Sequence, residues 1–407
     1  MSWIEHVRAQ ATGLATRLHR RTLVGVTAAL VAFSALAQAL PGLPPPAAPL
    51  RVATFDSGFG GYLTAKSIEG SAAQLLRDYD TAITIRHYGD TANLPYGEKT
   101  PGQIATLGSA GVLRAFEQGA DMVFIACNTA STQFAAIRKA VDGAYPGKEK
   151  PVVSIIDASA SEAKRLLDLR LAQRPTATFV IMATPATVRA MVYPRQLATL
   201  YGATLKEGAP KVFTQARWYR AKGATLDSLV QKNEIDLPGG RHIDVVQFAP
   251  ANWVELIEHG ADPALKQAAV KRDLGLLAKE LGKGTQPDVV GYFCTHYPIF
   301  DANIRIEVAA QLPGPRETSY IAQGALMARI FQGMAEARLK GHLRTAPLAP
   351  GQLQTLVTAA RANITISGQN GPVTRQLAAT MFPNDAAPVV TEEDLGRLTP
   401  AGAVAPK

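Results

Sequence analysis

The sequence predicts an α/β protein: two similar domains, each a mainly parallel sheet flanked by helices, with the active site in the cleft between them. Three observations carry this. From residue 50 onward, short near-continuous apolar runs alternate with longer amphipathic stretches, the pattern of parallel strands covered by helices on both faces. The polar residues that stand out fall just after those runs, where open α/β sheets bind ligands. Each half also holds an apolar run ending in a cysteine and two polar residues: Cys127-Asn128-Thr129 and Cys294-Thr295-His296.

The chain has 407 residues, enough for two domains and a large core. With 47% hydrophobic and 18% charged residues it has a globular composition. The net charge of +9 is modest, and residues 1–40 supply +3 of it through Arg8, Arg17, Arg20 and Arg21 against Glu5. No Lys/Arg block follows, which argues against a nucleic-acid partner. Two cysteines cannot build a disulfide framework, and no Cys/His cluster has zinc spacing.

Taken in order, residues 1–40 read as a signal peptide or signal anchor. A polar stretch ends in His19-Arg20-Arg21, and the 19 residues 22–40 carry no charge. That run is long enough to span a bilayer uncleaved, and Ala35-Leu36-Ala37 is an acceptable cleavage site. The basic flank predicts an exported or inner-membrane-anchored domain, with the N-terminal segment touching the membrane. Arg20-Arg21 also allows a twin-arginine signal, with poorly fitting flanks. The plainer alternative is a buried N-terminal helix on a cytoplasmic protein. Residues 41–50 form a Pro-rich, extended linker.

Strands are expected at Arg51–Phe55, Ile83–Tyr88, Met122–Ala126, Val152–Ile156, Thr178–Met182, Asp288–Phe293 and Asn363–Ser367. Helices are expected at about 61–76, 101–118, 129–142, 158–170, 185–200, 263–282, 298–310, 318–338 and 371–382. Residues 203–250 are rich in Gly, Lys and Arg and read as an irregular insertion. The first domain is placed at 51–150 plus 301–383 and the second at 151–300. Residues 384–407 read as a loose tail.

The strand ends carry the informative polar groups. Phe55-Asp56-Ser57-Gly58-Phe59-Gly60-Gly61 is a tight turn whose glycines let backbone N–H groups face an anion. Gly89-Asp90-Thr91 and Pro95-Tyr96-Gly97 follow the second strand. Thr184-Pro185-Ala186-Thr187 follows another, with Thr184 as a helix cap and Pro185 at the first helical position. Each group alone has a plainer reading. Asp56, Thr184 and Thr187 can be helix caps, His296 a satisfied surface histidine, and either cysteine a small buried hydrophobe. Together they converge on the strand ends, where one cleft gathers them.

This set of motifs resembles glutamate racemase, of the cofactor-independent aspartate/glutamate racemase superfamily. The resemblance covers about residues 51–383. Trp253-Val254-Glu255-Leu256-Ile257-Glu258-His259-Gly260 is similar to the family's aromatic-Val-Pro-Leu-Val-Glu-Glu-Gly segment. The resemblance implies that Cys127 and Cys294 are the two catalytic acid/bases. Cys127 would take the α-proton of the D isomer and Cys294 that of the L isomer. It implies that Asp56 assists Cys127, that His296 assists Cys294, and that Glu258 is the family's acidic residue. Ser57, Tyr96, Gly97, Asn128, Thr129, Thr187 and Thr295 would hold the substrate's carboxylates and ammonium. It further implies a small amino-acid substrate, a homodimer, and a supply of D-glutamate for peptidoglycan in the cell wall.

The chemistry agrees. Inverting an α-carbon removes a proton from one face and returns one to the other, which calls for two bases. A free thiol has a pKa of about 8.5, so a little thiolate exists at neutral pH. The α-carbanion needs preorganised donors, and Asn128, Thr129 and Thr295 are suitably polar. An export segment, Pro250-Ala251 in place of the family's Cys-Pro, and Ile321-Ala322-Gln323-Gly324 near the end depart from the family pattern. Two other readings stand beside the racemase: a related isomerase or decarboxylase acting on another acid, and an exported non-catalytic binding protein for an acidic amino acid.

Overall fold

The computed structural model describes residues 48–218, 223–282 and 284–393. The expected signal or anchor at residues 1–40 lies outside the described residues. No helix among the described residues is long and apolar enough to cross a membrane.

The first part of the chain alternates regularly: β1 (Leu50–Asp56), α1 (Tyr62–Asp78), β2 (Ile83–Gly89), α2 (Pro101–Glu117), β3 (Met122–Ile125), α3 (Asn128–Ser131), α4 (Phe134–Ala144), β4 (Val152–Ser154) and α5 (Ile155–Leu171). A second part holds β5 (Thr176–Ala183), α6 (Pro185–Ala190), α7 (Val192–Tyr201), β6 (Leu205–Glu207), β7 (Lys211–Ala216), β8 (Thr225–Leu237), β9 (Arg241–Ala249), α8 (Trp253–Glu258), α9 (Pro263–Leu281), β10 (Val289–Phe293), α10 (Asp301–Gln311) and β11 (Ser319–Ile321). The chain then returns through α11 (Gln323–Arg338), α12 (Gln352–Ala359), β12 (Asn363–Ser367), α13 (Gly371–Met381) and β13 (Val390–Glu393).

Two sheets result. The first has the order β13-β12-β2-β1-β3-β4 and is parallel throughout. The second has the order β11-β10-β5-β9-β8-β6, with β7 also on β8. It is parallel from β11 to β9 and antiparallel beyond. The strands are apolar along their length because both faces are covered: β3 and β10 are buried at every position. This is the predicted two-sheet α/β architecture, and it sets the ends of β1, β3, β5 and β10 around one cleft.

Five placements differ from the sequence expectation. Residues 203–250 are no irregular insertion: β8 and β9 form a long hairpin, and β9 is an interior parallel partner of β5. Polar residues on the inward face of that hairpin, among them buried Gln231, Asn233 and Gln247, conceal its alternation. Residues 301–383 divide between the domains, since β11 pairs with β10 in the second sheet before α11 packs back on α1. The tail is ordered at Val390–Glu393, which extends the first sheet along β12. There Glu393 receives the side chains of Arg114 and Gln118. Finally, Leu50 opens β1 instead of ending the linker, and the 185–200 helix breaks at Met191, whose φ of 57° separates α6 from α7.

Candidate active site

Ser57, Tyr96, Gly97, Cys127, Asn128, Thr129, Thr184, Cys294, Thr295 and His296 line one cavity, whose empty volume is about 610 Å³ with its open mouth included. Both cysteines are free and only 4% exposed. They reach the cavity from different sheets, Cys127 just after β3 and Cys294 directly after β10.

The two thiols have different surroundings. Cys127 caps α3: its Sγ accepts the Ala130 N–H at 3.4 Å and donates to the Ser57 hydroxyl at 3.6 Å. Burial pushes its thiol well up, and the charge of Asp56 adds to this, while the bonds from Ala130 and Ser57 pull weakly the other way. Cys127 therefore holds its proton. Cys294 Sγ lies 3.7 Å from His296 Nδ1. On the far side of the ring, His296 Nε2 meets Glu258 Oε1 at 2.5 Å, and that oxygen also accepts the Phe59 N–H at 2.6 Å. Burial alone would pull His296 down. Its hydrogen bonds to Cys294 and Glu258, with their charges, outweigh burial and hold it well above its usual value. His296 is thus an imidazolium beside Cys294.

The two domains interlock at this point. Asp56 Oδ2 accepts the Gly58 and Gly61 N–H groups at 3.2 and 3.1 Å, and both its oxygens accept from Thr295 Oγ1 at 3.2 Å. Among the described residues Asp56 makes no hydrogen bond to Cys127; Ser57 does so, and Asp56 acts on that thiol through charge. Neither Asp56 nor Glu258 lines the cavity. Thr187 is fully buried behind the wall, bonded to Thr184 Oγ1 at 3.0 Å and Thr129 Oγ1 at 3.4 Å. Thr184 takes the cavity-lining place, 2.7 Å from Thr129 Oγ1. Tyr96 donates its hydroxyl to Asp90 at 2.6 Å.

Glycine is required where the β1 turn passes the opposing domain. A Cβ on Gly60 would stand 2.5 Å from Thr295 Oγ1 and 2.8 Å from His296 Nδ1, and one on Gly58 would stand 2.1 Å from Glu258 Oε1. Gly60→Ala is accordingly expected to cost about 1–3 kcal/mol, read as a lower denaturant midpoint. A midpoint equal to wild type would mean that the turn does not press on Thr295 and His296.

Several participants carry no sequence motif. His87, fully buried under the turn, meets Thr54 Oγ1 at 2.9 Å through Nδ1 and the Gly58 carbonyl at 3.0 Å through Nε2. A carbonyl only accepts, so Nε2 carries the proton, and burial keeps the ring neutral against the nearby Asp56 charge. Asn128 is clamped by Gln323, each amide bonding the other at 2.7 and 2.9 Å, and by the Tyr193 hydroxyl. Trp253 packs edge-on against Tyr297 and Phe300 and donates to Asp273 at 2.8 Å, which fixes α8 against the segment after β10. Glu98, Asp227 and Glu255 add acidic groups to the cavity wall. Of these, Glu255 was visible in the sequence as an acid in place of the proline of the family segment.

One group among the described residues has metal-ligand proximity: Glu234, His242 and Asp244. It sits at the opposite end of β9 from the cavity, and both ring nitrogens of His242 are already engaged by Asp236 and Asp244.

Residues 63–212 match the Asp/Glu/hydantoin racemase family. A glutamate racemase of Ruegeria sp. (strain TM1040) is 26% identical over 291 residues, covering 71% of this chain and 86% of that protein. In fold, the chain is similar to a glutamate racemase isoform of Bacillus anthracis, with a TM-score of 0.57 and 18% identity over 85% of this chain and 98% of that one. It is also similar to the Francisella tularensis glutamate racemase solved in complex with D-glutamate, with a TM-score of 0.55 and 18% identity over the same shares. The two solved structures show the fold. The chain is similar to the glutamate racemases in sequence and in fold.

Proposed function

We propose that this protein interconverts L- and D-glutamate by proton transfer between Cys127 and Cys294. The observation that carries the reading is that two buried thiols from different sheets line one cavity and differ in their surroundings. One is held as a thiol beside Ser57 and the other faces an imidazolium. Such a pair starts each turnover with one acid and one base, which inversion at an α-carbon requires.

The hydroxyls and amides of Ser57, Asn128, Thr129, Thr184 and Thr295 suit the carboxylates of an acidic amino acid, and related glutamate racemases make glutamate the first substrate to try. As the α-proton leaves, charge moves onto the adjoining carboxylate, where these fixed donors stabilise it without reorganising. The clamp of Gln323 and Tyr193 on Asn128 supplies that rigidity. The test is α-deuterium incorporation from heavy water into each glutamate enantiomer, followed by chiral analysis. Incorporation with loss of optical purity is expected. Binding of glutamate without incorporation would convert the reading into that of a binding protein.

A further inference from the structure

Four helices meet at Asn128, and the hydrogen bonds there have one consistent assignment. Asn128 opens α3 beside Cys127 and lines the cavity. Around its amide stand Ser159 of α5, Tyr193 of α7 and Gln323 at the start of α11, each at most 4% exposed. Gln323 belongs to Ile321-Ala322-Gln323-Gly324, where the chain departs from the family pattern.

The Ser159 hydroxyl gives its one proton to the Ile155 carbonyl at 2.8 Å, since a carbonyl only accepts. Ser159 Oγ can then only accept from Gln323, so the Gln323 atom 2.7 Å away is the donor Nε2. That turns Gln323 Oε1 towards Asn128 Nδ2, at 2.7 Å. The second Gln323 Nε2 proton and the Tyr193 hydroxyl both go to Asn128 Oδ1. Burial keeps the Tyr193 hydroxyl protonated and so a donor. Asn128 Oδ1 is thus filled and one Nδ2 proton is taken, while the other makes no hydrogen bond among the described residues. Were both amides turned over, the two Asn128 N–H groups would face Gln323 and Tyr193, and none would remain.

We propose that Gln323, keyed by Ser159, is a positioning residue that sets the facing of the Asn128 amide and so leaves one Nδ2–H for a carboxylate oxygen of the substrate. This rests on the amino-acid site proposed above. A donor fixed in this way needs no reorganisation as charge builds on the carboxylate beside the reacting carbon.

The experiment compares the intact wild-type protein with Gln323→Met, which is close in volume and makes no such bonds, and with Ser159→Ala, which frees Gln323 to turn over. The kcat and KM for glutamate racemisation are measured beside the Asn128 side-chain amide signals of isotope-labelled protein, identified by their loss in Asn128→Ala. Wild type is expected to show one Asn128 amide proton protected from solvent exchange and one that shifts when glutamate is added. In Gln323→Met the protection is lost and kcat falls at least about tenfold, while KM changes less than about threefold. Ser159→Ala moves the same quantities in the same direction, and carries the test if Gln323→Met does not fold. A lower denaturant midpoint with the kcat and amide signals of wild type would mark a packing contact alone and overturn the proposal. An Asn128 amide proton that is unprotected in wild type would overturn it too. A protected amide that Gln323→Met releases, in a protein that exchanges no α-proton of glutamate, would support the clamp and sink the racemase reading instead.

Discussion

Cys127→Ala is expected to stop racemisation of glutamate, lowering its rate by about 10²–10⁴-fold, while leaving slow deuterium wash-in for one enantiomer only. In the proposed mechanism each thiol serves one face of the α-carbon, Cys127 following β3 of the first sheet and Cys294 following β10 of the second. Without Cys127 the carbanion formed by Cys294 has no acid on its other face. It can only take a proton back from the side it left. Deuterium then enters as far as the Cys294 proton exchanges with solvent before return, and burial makes that slow. By the family resemblance the surviving exchange is in the L isomer, and Cys294→Ala leaves the reverse pattern. The fold should tolerate the change, since the thiol contributes one weak cap to α3 and one long contact to Ser57. Chiral chromatography with mass detection reads both effects. Racemisation within tenfold of wild type, or equal wash-in for both enantiomers, would dismiss the two-base assignment.

The parts of this site that were legible in the sequence share a physical cause. A strand covered on both faces stays apolar until it leaves the sheet, so the switch to Asp56-Ser57, Cys127-Asn128 and Cys294-Thr295-His296 marks the strand ends. The glycines at 58, 60 and 61 were legible too, although their reason was not. They make room for Glu258, Thr295, His296 and the pair Asp56 and His87, all but one of which are far away in sequence. What stayed hidden depends on tertiary partners. Gln323 meets Asn128 across 195 residues and Arg217 meets Glu98 across 119, and no local pattern announces such pairs. The β8–β9 hairpin escaped because its inward face carries Gln231, Asn233 and Gln247 among Leu229, Ile235 and Val245. Its turn, Pro238-Gly239-Gly240 with φ of 78° and 71° at the glycines, was the overlooked hairpin signal. Val390–Glu393 became a strand through the Arg114 and Gln118 contacts to Glu393, which composition cannot show.

Glu258→Gln is expected to slow α-proton exchange of L-glutamate by about 100-fold and to alter how stability depends on pH. The amide oxygen of glutamine can still accept both the His296 Nε2–H and the Phe59 N–H that Glu258 Oε1 accepts now. Shape and hydrogen bonds are preserved, so the charge is what is lost. In wild type that charge, with Cys294, holds the His296 proton against the opposing pull of burial. A basic group raised on folding stabilises the native state fully below its unfolded pKa, near 6.5 for histidine. That stabilisation fades as pH rises through the folded value. Removing one partner from a buried ion pair costs about 3 kcal/mol, and both side chains here are at most 3% exposed. The stability gap between wild type and Glu258→Gln should therefore be widest at roughly pH 5 to 6.5 and close towards alkaline pH, as the wild-type imidazolium finally deprotonates. Denaturant midpoints at half-unit steps of pH measure this. A gap that stays flat or widens with pH would show that Glu258 does not hold the His296 proton. L-glutamate exchange in the variant within twofold of wild type would show that this proton is not part of the path through Cys294.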